Sequence, residues 1–330
     1  MARLVARIAV AGLLAAFVAA AALAWGFTEY VRPGPLGSET LVVIPPGAGV
    51  DSIANRLRES GVLAEPRVFT AAIRLMGVGS SLRAGEYAFA PGISPREALG
   101  LLRRGRAVVR RLTIVEGLTV AEVVRQLLAT EGLFGEIGAV PDEGSLLPET
   151  YHFSYGDSRD AMIVRMTSAM TKTVDELWAR RAPGLPLADP REALILASIV
   201  EKETARNDER GRVAGVFARR LRKNMKLQSD PTVAYALTSG DGPLERSLGG
   251  DDLATVSPYN TYVVRGLPPA PICNPGRASL RAAMNPLETG ELYFVADGEG
   301  GHAFARTYAE HGRNVARWRK VRGQRSDSGS

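Results

Sequence analysis

Two acidic residues, Glu201 and Glu203, close an apolar segment in the middle of the chain. Residues 193–200 before them contain a single polar side chain, Ser198, which is typical of a helix covered on most sides. At about 100° per residue, Glu201 lies on the face of Ser198, whereas Glu203 points roughly 200° further round. Partial loss of water disfavours the charged form of a carboxyl group, so Glu201 is suited to act as a general acid. The alternative is that Glu201 begins the solvated end of the helix and pairs with an arginine.

The start of this helix is marked by local signals. Asp189 can accept hydrogen bonds from free amide groups, Pro190 suits the first helical position, and Glu192 can complete a capping box. We therefore predict a buried helix over residues 189–204 that carries one carboxylate inward.

Residues 143–153 combine a turn, two acids and several rings, a density that suits the wall of a sugar-binding groove. The alternative for Tyr151 and Phe153 is a strand with one buried face and Glu149 at its edge. Further along, Asp230 precedes a proline and is expected to cap a helix, which leaves Gln228 free for another role.

Four prolines in residues 265–276 predict a rigid loop, and rigid loops often carry groups to a site. Within the same region, Asn274 and Pro275 are predicted to cap the helix that follows.

Two helices and a hairpin are also predicted in the C-terminal part of the chain. The helix after Asn207 is expected to turn Arg219 and Arg220 outward. A hairpin is predicted around residues 298–301, and the last helix is expected to end near Arg322.

The composition is that of an ordinary folded protein with room for two domains: 330 residues, 45% hydrophobic and 23% charged. A net charge of +6 mildly favours anionic lipid or polymer, and we do not expect nucleic acid to be a partner. One cysteine, Cys273, excludes an internal disulfide framework. Three histidines without zinc-ligand spacing predict no metal site, and no cofactor is expected.

An uncharged run over residues 8–27 is about long enough to span a bilayer. Arg3 and Arg7 precede it and favour a cytoplasmic N-terminus over residues 1–7. The alternative is a cleaved signal peptide, since residues 22–24 resemble a cleavage site. We favour an anchor, because the run exceeds a usual signal core and Trp25 stands where interfacial aromatic residues gather.

The expected fold class is α+β: a single transmembrane helix, a small β-α-α-β subdomain and a larger mixed α/β catalytic domain. The subdomain resembles the glycan-binding LysM module in order and size, and a plain spacer is its alternative. A basic cluster, formed by Arg103, Arg104 and Arg106 and continued by Arg110 and Arg111, is either a solvated face or a contact for lipid head groups or wall polymer. The predicted boundaries are a linker over 28–39, the LysM-like subdomain over 40–110, the catalytic domain over 111–322 and a disordered tail over 323–330.

One pattern of apolar residues around a glycine occurs twice in the chain, and it predicts a repeated strand-turn-helix unit. Six residues align with six others about 70 positions later. They are Ile44, Gly47, Val50, Ile53, Leu57 and Leu63, matched by Ile114, Gly117, Val120, Val123, Leu127 and Leu133.

Four motifs in order resemble one family, the endolytic murein transglycosylases, also called the YceG-like or MltG family. They are Glu-Gly at 143–144 with Leu-Pro-Glu-Thr-Tyr at 147–151, Ala-Ser-Ile-Val-Glu-Lys-Glu-Thr at 197–204, Leu-Gln-Ser-Asp-Pro-Thr at 227–232, and Tyr-Asn-Thr-Tyr at 259–262 with Gly-Leu-Pro-Pro at 266–269. The family more often has Phe at the position of Leu147 and Asp at the position of Glu149.

The resemblance implies that Glu201 is the catalytic glutamate. It also implies cleavage of the bond between N-acetylmuramic acid and N-acetylglucosamine inside a nascent glycan strand, which leaves a 1,6-anhydro end and stops elongation. Such enzymes are anchored in the inner membrane with the catalytic domain outside the cytoplasm, beside peptidoglycan synthases. Our candidates for the lining of the glycan groove are Glu149, Tyr151, Gln228 and Asn260.

Two alternatives remain open at this stage. An ordinary hydrolase of the same bond would need a second acid, such as Glu149 or Asp230, to activate water. A non-catalytic wall-binding or scaffold protein would use the LysM-like part and keep Glu201 as a structural residue.

Overall fold

The computed structural model describes residues 2–105 and 107–327. The chain has a mixed α+β fold and divides into two compact units. Unit 1 is made of Met1–Arg111, Gly132–Phe134 and His152–Asp157. Unit 2 is made of Leu112–Glu131, Gly135–Tyr151 and Ser158–Ser330. Arg106 of the basic cluster and residues 328–330 of the expected tail lie outside the described residues.

Unit 1 begins with one long apolar helix and continues as a strand-helix-helix-strand layer. The segment Ala6–Val31 of the first helix is long and apolar enough to cross a membrane. The elements are α1 (Ala2–Val31), β1 (Thr40–Ile44), α2 (Val50–Glu59), α3 (Pro66–Met76), β2 (Gly85–Phe89) and α4 (Pro95–Arg104). β1 pairs antiparallel with β2, and Val42 lies opposite Tyr87 in the register. The predicted order of two strands around two helices is therefore present.

Ser94 followed by Pro95 predicts the start of a helix, and α4 begins there. Ser94 accepts a hydrogen bond from the amide of Glu97, whose carboxylate in turn accepts from the amide of Ser94, so α4 begins with a complete capping box. Arg103 and Arg104 at its C-terminal end are exposed.

Unit 2 holds most of the helices. β3 (Val109–Thr113) and β4 (Thr150–Ser154) form a two-stranded sheet, and the boundary between the units falls within both strands. The remaining elements are α5 (Val120–Ala129), α6 (Arg159–Ala179), α7 (Pro190–Glu203), α8 (Asn207–Arg222), α9 (Asp230–Thr238), α10 (Gly250–Leu253), α11 (Arg277–Met284), β5 (Tyr293–Ala296), β6 (His302–Ala305) and α12 (Tyr308–Asp327). β5 and β6 form the predicted antiparallel hairpin.

The core of unit 2 is built around α7, which packs against α8 and α11. Every residue from Ile195 to Val200 is buried, and Ser198 among them is fully enclosed. Truncation of a buried leucine such as Leu196 to alanine would cost about 2–5 kcal/mol. The prediction of a buried central helix is confirmed.

The repeated pattern corresponds to repeated local structure. Gly47 and Gly117 occupy equivalent turns after β1 and β3 and have φ values of 77° and 82°. Only glycine adopts this left-handed region without strain, so both turns depend on it. The helices that follow, α2 and α5, bury equivalent apolar positions.

The expectations for an arginine on α8 and for the end of α12 differ from the structure. Arg220 is not turned outward on α8: it is buried and donates to the carbonyls of Leu227 and Leu292. Its guanidinium satisfies backbone carbonyls that helical periodicity alone does not reveal. In addition, α12 continues to Asp327, beyond the predicted end near Arg322.

Candidate active site

The helix α7 is positioned by hydrogen bonds near both of its ends. At the start, the Asp189 side chain accepts from the amide of Glu192 at 2.9 Å, as predicted for an N-cap. The Glu192 carboxylate accepts from the amide of Ala188 at 2.7 Å, one residue earlier than in a standard capping box. Near the end, the Ser198 hydroxyl accepts from the amide of Ile272 at 3.0 Å and so joins α7 to the proline-rich loop.

The proline-rich loop is held by Asn274. Its side-chain oxygen accepts from the amide of Leu146 at 2.9 Å, and its amide nitrogen donates to the carbonyl of Leu118 at 2.9 Å. The prediction that Asn274 and Pro275 cap a helix is wrong, because α11 begins at Arg277 with Gly276 as its N-cap. Asn274 instead binds two other segments and fixes the loop just before Gly276.

Glu201 lies where this loop meets α8. Its Oε2 atom accepts from the amide of Gly276 at 2.8 Å, and its Oε1 atom lies 3.1 Å from Nη2 of Arg210. The side chain of Glu201 is 5% exposed. The amide and the guanidinium both stabilise a charged carboxylate, and burial opposes it. The arginine partner considered as an alternative is therefore present, in a buried pair.

Arg210 is itself held in one orientation. Its Nε atom donates to the hydroxyl of Ser279 at 3.0 Å, and Nη1 donates to the side chain of Asn207. These two hydrogen bonds fix the orientation of the planar guanidinium that contacts Glu201.

A second carboxylate, Glu116, lies beside Glu201. Its Oε2 atom is 3.6 Å from Nη2 of Arg210, and its side chain is 43% exposed. Partial burial and the negative charge of Glu201 raise the pKa of Glu116, and Arg210 opposes them. Its partly exposed side chain is open to solvent, whereas that of Glu201 is almost fully covered.

The backbone at Gly276 has no room for a side chain. A Cβ atom there would overlap the carboxylate of Glu116. Glycine is therefore required by close approach, and it brings the amide of residue 276 to Glu201.

Glu203 points away from Glu201, as predicted. It is mostly buried, and its Oε1 atom accepts from the hydroxyl of Ser229 at 2.5 Å. Burial raises the pKa of Glu203 to about 7; the Ser229 hydrogen bond lowers it, and the charge of Asp230 raises it further. The sequence led us to expect a raised pKa at Glu201, and the structure raises the pKa of Glu203 instead.

Two of the four predicted groove residues lie on the Glu201 side. Glu149 accepts from Nε of Arg277 at 2.8 Å, and Arg277 follows Gly276 directly. Tyr151 is buried and donates its hydroxyl to the carbonyl of Leu147 at 2.7 Å. Burial raises the pKa of Tyr151 to about 12, with a smaller contribution from Glu149.

The other two predicted groove residues lie near Glu203. Gln228 is exposed, has φ 51°, and donates its backbone amide to the carbonyl of Thr261 at 3.1 Å. Asn260 is fully buried, and its side-chain nitrogen donates to the carbonyls of Leu253 and Thr255. The structure therefore joins Glu149 to the segment that binds Glu201, and it joins Gln228 and Asn260 to the segment of Ser229, which binds Glu203.

A cavity of about 320 Å³ lies beside α7 and α9, and Lys202, Asp230 and Tyr235 are among its lining residues. Glu201 does not line it. The expected cap at Asp230 is absent: Ser229 occupies the N-cap position, and Asp230 accepts from the hydroxyl of Tyr262 at 2.6 Å. In the part of the chain that the structure describes, no three His, Cys, Asp or Glu side chains converge as metal ligands would.

Sequence reasoning did not single out Glu116, Arg210 or Gly276 for the site. One signal for Glu116 was present, because it directly precedes Gly117, the repeated turn glycine. The other two residues carry no local signature.

A sequence profile of the YceG-like family matches residues 42–317. The chain belongs to the YceG-like family. The endolytic murein transglycosylase of Bacillus subtilis is 29% identical over 299 residues, which cover 81% of each chain. The endolytic murein transglycosylase of Streptococcus pneumoniae is 28% identical over 324 residues, and the match spans 83% of this chain but 57% of that protein.

A crystal structure of a YceG-like protein from Listeria monocytogenes resembles this fold with a TM-score of 0.51 and 30% sequence identity. The match covers 84% of this chain and 99% of that one. The family resemblance inferred from the four motifs is confirmed.

Proposed function

We propose that this YceG-like protein is a membrane-anchored endolytic murein transglycosylase in which Glu201 is the catalytic acid and base. The observation that carries the proposal is the buried Glu201 carboxylate, bonded to the amide of Gly276 and to Arg210. Its relatives from two organisms are named for this activity. The substrate is a glycan strand of peptidoglycan, cut at the bond between N-acetylmuramic acid and N-acetylglucosamine.

The reaction needs one carboxyl group. Protonated Glu201 gives its proton to the glycosidic oxygen, and the bond from that oxygen to the anomeric carbon breaks. The 6-hydroxyl oxygen of the same muramic sugar then bonds to the anomeric carbon and releases its proton to Glu201. Glu201 returns to its starting state, no water is consumed, and the strand ends in a 1,6-anhydro sugar.

The residues around Glu201 have different roles in this reaction. Arg210 and the Gly276 amide stabilise the carboxylate that exists between the two proton transfers. Glu116 carries a like charge and favours return of the proton. Glu149 and Gln228, whose side chains reach the surface, contact the glycan, whereas Tyr151 and Asn260 position the segments that carry the groove.

Glu201→Gln tests the assignment, since it keeps the size of the side chain and cannot deliver a proton. The purified full-length variant is incubated with murein sacculi, and the products are identified by mass spectrometry. We expect a loss of anhydro ends of about 100-fold or more. Glu176→Gln, on the exposed surface of α6, is the matched control and should leave activity unchanged.

The product type separates the proposal from its alternatives. Anhydro ends formed by the wild type support a transglycosylase, and reducing ends would indicate a hydrolase instead. Binding without any cleavage would indicate a scaffold protein. A folded Glu201→Gln variant that cuts at the normal rate would remove Glu201 from its role.

α1 and unit 1 determine where the enzyme acts. α1 anchors the chain in the plasma membrane with its N-terminus in the cytoplasm, because Arg3 and Arg7 precede the apolar run. Unit 1 acts as a LysM-like module that binds glycan, and the anchor holds both units near peptidoglycan synthases. Protease added to spheroplasts should digest both units and leave α1 protected; protection of the whole chain would reverse the topology.

A further inference from the structure

α3 has two apolar faces, which is unusual for a helix at the surface of a small domain. Phe69 and Ile73 are buried in the core of unit 1. Val68, Ala72 and Leu75 recur at helical spacing on a different face, and Leu75 is 83% exposed. One face of α3 therefore stabilises the fold, and the second remains open to its surroundings.

The second face borders a groove shared with the C-terminal part of α1. The groove has a volume of about 610 Å³, and most of its lining along both helices is apolar. α1 contributes Leu23 and Phe27, and α3 contributes Val68 and Leu75. A contiguous apolar surface of this kind is rare on a soluble domain that faces water on all sides.

The position of the groove along α1 gives its depth in the membrane. Five of the six α1 residues that line the groove fall within positions 22–27, the last six positions of the uncharged run, and the sixth is Tyr30, one turn further on. At about 1.5 Å per residue this segment extends roughly 9 Å into the hydrocarbon from the outer side. α3 lies beside it, so the second face of α3 is at the same depth. Helices that lie in the membrane interface bury their apolar face by about 5–10 Å.

Basic side chains border the groove where the head groups would be. Arg67 lies at the start of α3 and lines the groove. Arg96 and Arg103 of α4 are close enough to the hydroxyl of Tyr30, near the end of α1, to interact with it electrostatically. Arginine side chains at this level suit lipid phosphates, and tyrosine is favoured at the same interface.

We propose that α3 is embedded in the outer leaflet, with acyl chains of bilayer lipid filling the groove between α3 and α1. Unit 1 would then lie on the membrane surface instead of swinging freely on its anchor. The inference rests on the proposed membrane anchoring by α1 and adds to it a second contact with the lipid.

Spin labels on introduced cysteines test the proposal in the full-length protein. Three single variants are compared, Leu75→Cys on α3, Leu41→Cys on β1 and Leu14→Cys on α1. Each of the three leucines is more than half exposed, and Cys273 is buried and will not react. The labelled proteins are placed one copy per lipid nanodisc containing phosphatidylglycerol, which excludes contacts with a second copy. Collision of each label with oxygen, which enters the bilayer, is compared with collision with a water-soluble nickel complex.

For each label we compare the ratio of oxygen collisions to nickel collisions. We expect this ratio at position 75 to be at least about three times the ratio at position 41. A Leu75 ratio equal to that of Leu41 would overturn lipid contact by α3. Shielding of Leu75 from both reagents would also overturn it, because protein would then cover the groove. The label at Leu14 reports on the anchor separately: if it is accessible to nickel, both the anchoring and this inference fail.

Discussion

Glu116 and Glu201 share one guanidinium, that of Arg210, whose Nη2 atom lies 3.6 Å from the first carboxylate and 3.1 Å from the second. The two acids come from distant parts of the chain, the turn after β3 and the end of α7. A buried cation between two carboxylates allows one of them to remain charged while the other exchanges a proton.

Arg210→Met tests the energetic role of this cation. Loss of the guanidinium leaves the buried Glu201 without its partner, which costs about 3 kcal/mol of unfolding free energy. The expected result is a lower denaturation midpoint in detergent micelles. In the double variant with Glu201→Gln the unpaired charge is gone, so the combined loss should be smaller than the sum of the two single losses. Simple additivity would show that the pair is not energetically coupled.

Glu116→Gln tests the role of the like charge. The charge of Glu201 raises the pKa of Glu116, so the two carboxylates interact electrostatically, and glutamine at position 116 removes one member of this pair. Because the like charge of Glu116 opposes loss of a proton from the site, we expect the alkaline limb of the kcat/KM profile to move to lower pH. Glu136→Gln, on an exposed segment, is the control and should leave the profile in place. An unchanged profile for Glu116→Gln would mean that Glu116 does not act on the site.

Glu203→Gln tests the linkage between the raised pKa and stability. The carboxyl of Glu203 has a folded-state pKa of about 7, above the ordinary value of 4.5. Between these values the folded state binds more protons than the unfolded state, so stability falls as pH rises from about 4.5 to 7. The loss contributed by this group is about 3 kcal/mol. Glutamine can still accept from Ser229, so the variant should lack this part of the decline in pH-dependent unfolding.

The same variant also decides between the two acids of α7. If Glu203→Gln keeps the rate of anhydro-end formation while Glu201→Gln abolishes it, Glu201 is the proton donor. The reverse result would assign the chemistry to Glu203.

Gly276→Ala tests the close approach of the loop to Glu116. The new methyl group would collide with the Glu116 carboxylate and displace either that side chain or the loop amide that binds Glu201. We expect a loss of about 10-fold in activity and about 1–3 kcal/mol in stability. Glu116→Ala in the same chain removes the collision and should restore most of the stability. Gly312→Ala on α12 meets no atom within 4 Å and serves as the control.

Much of the local architecture could be predicted from the sequence. The start of α7 follows from Asp189 and Pro190, the start of α4 from Ser94 and Pro95, and the apolar run of α1 from its composition. These features depend on residues within a few positions of each other, and capping and periodicity act over that range. The four motifs were also sufficient to identify the family.

The candidate site depended on tertiary structure. The amide of Gly276 donates to the carboxylate of Glu201, which lies 75 positions earlier in the sequence. This contact forms because Asn274 fixes the loop that carries Gly276. Tyr151 and Asn260 were candidates for the lining of the groove, and only the packing shows that their polar groups are satisfied inside the protein.

The sequence by itself determined which segments form helices, where several of them begin, and that one of them carries a partly sheltered carboxylate. The tertiary structure decided which charges face that carboxylate, namely Arg210 and Glu116, because loops and helix ends from separate segments meet only after the core has packed. Local periodicity specifies the face on which a side chain lies, and long-range contacts specify what it meets there.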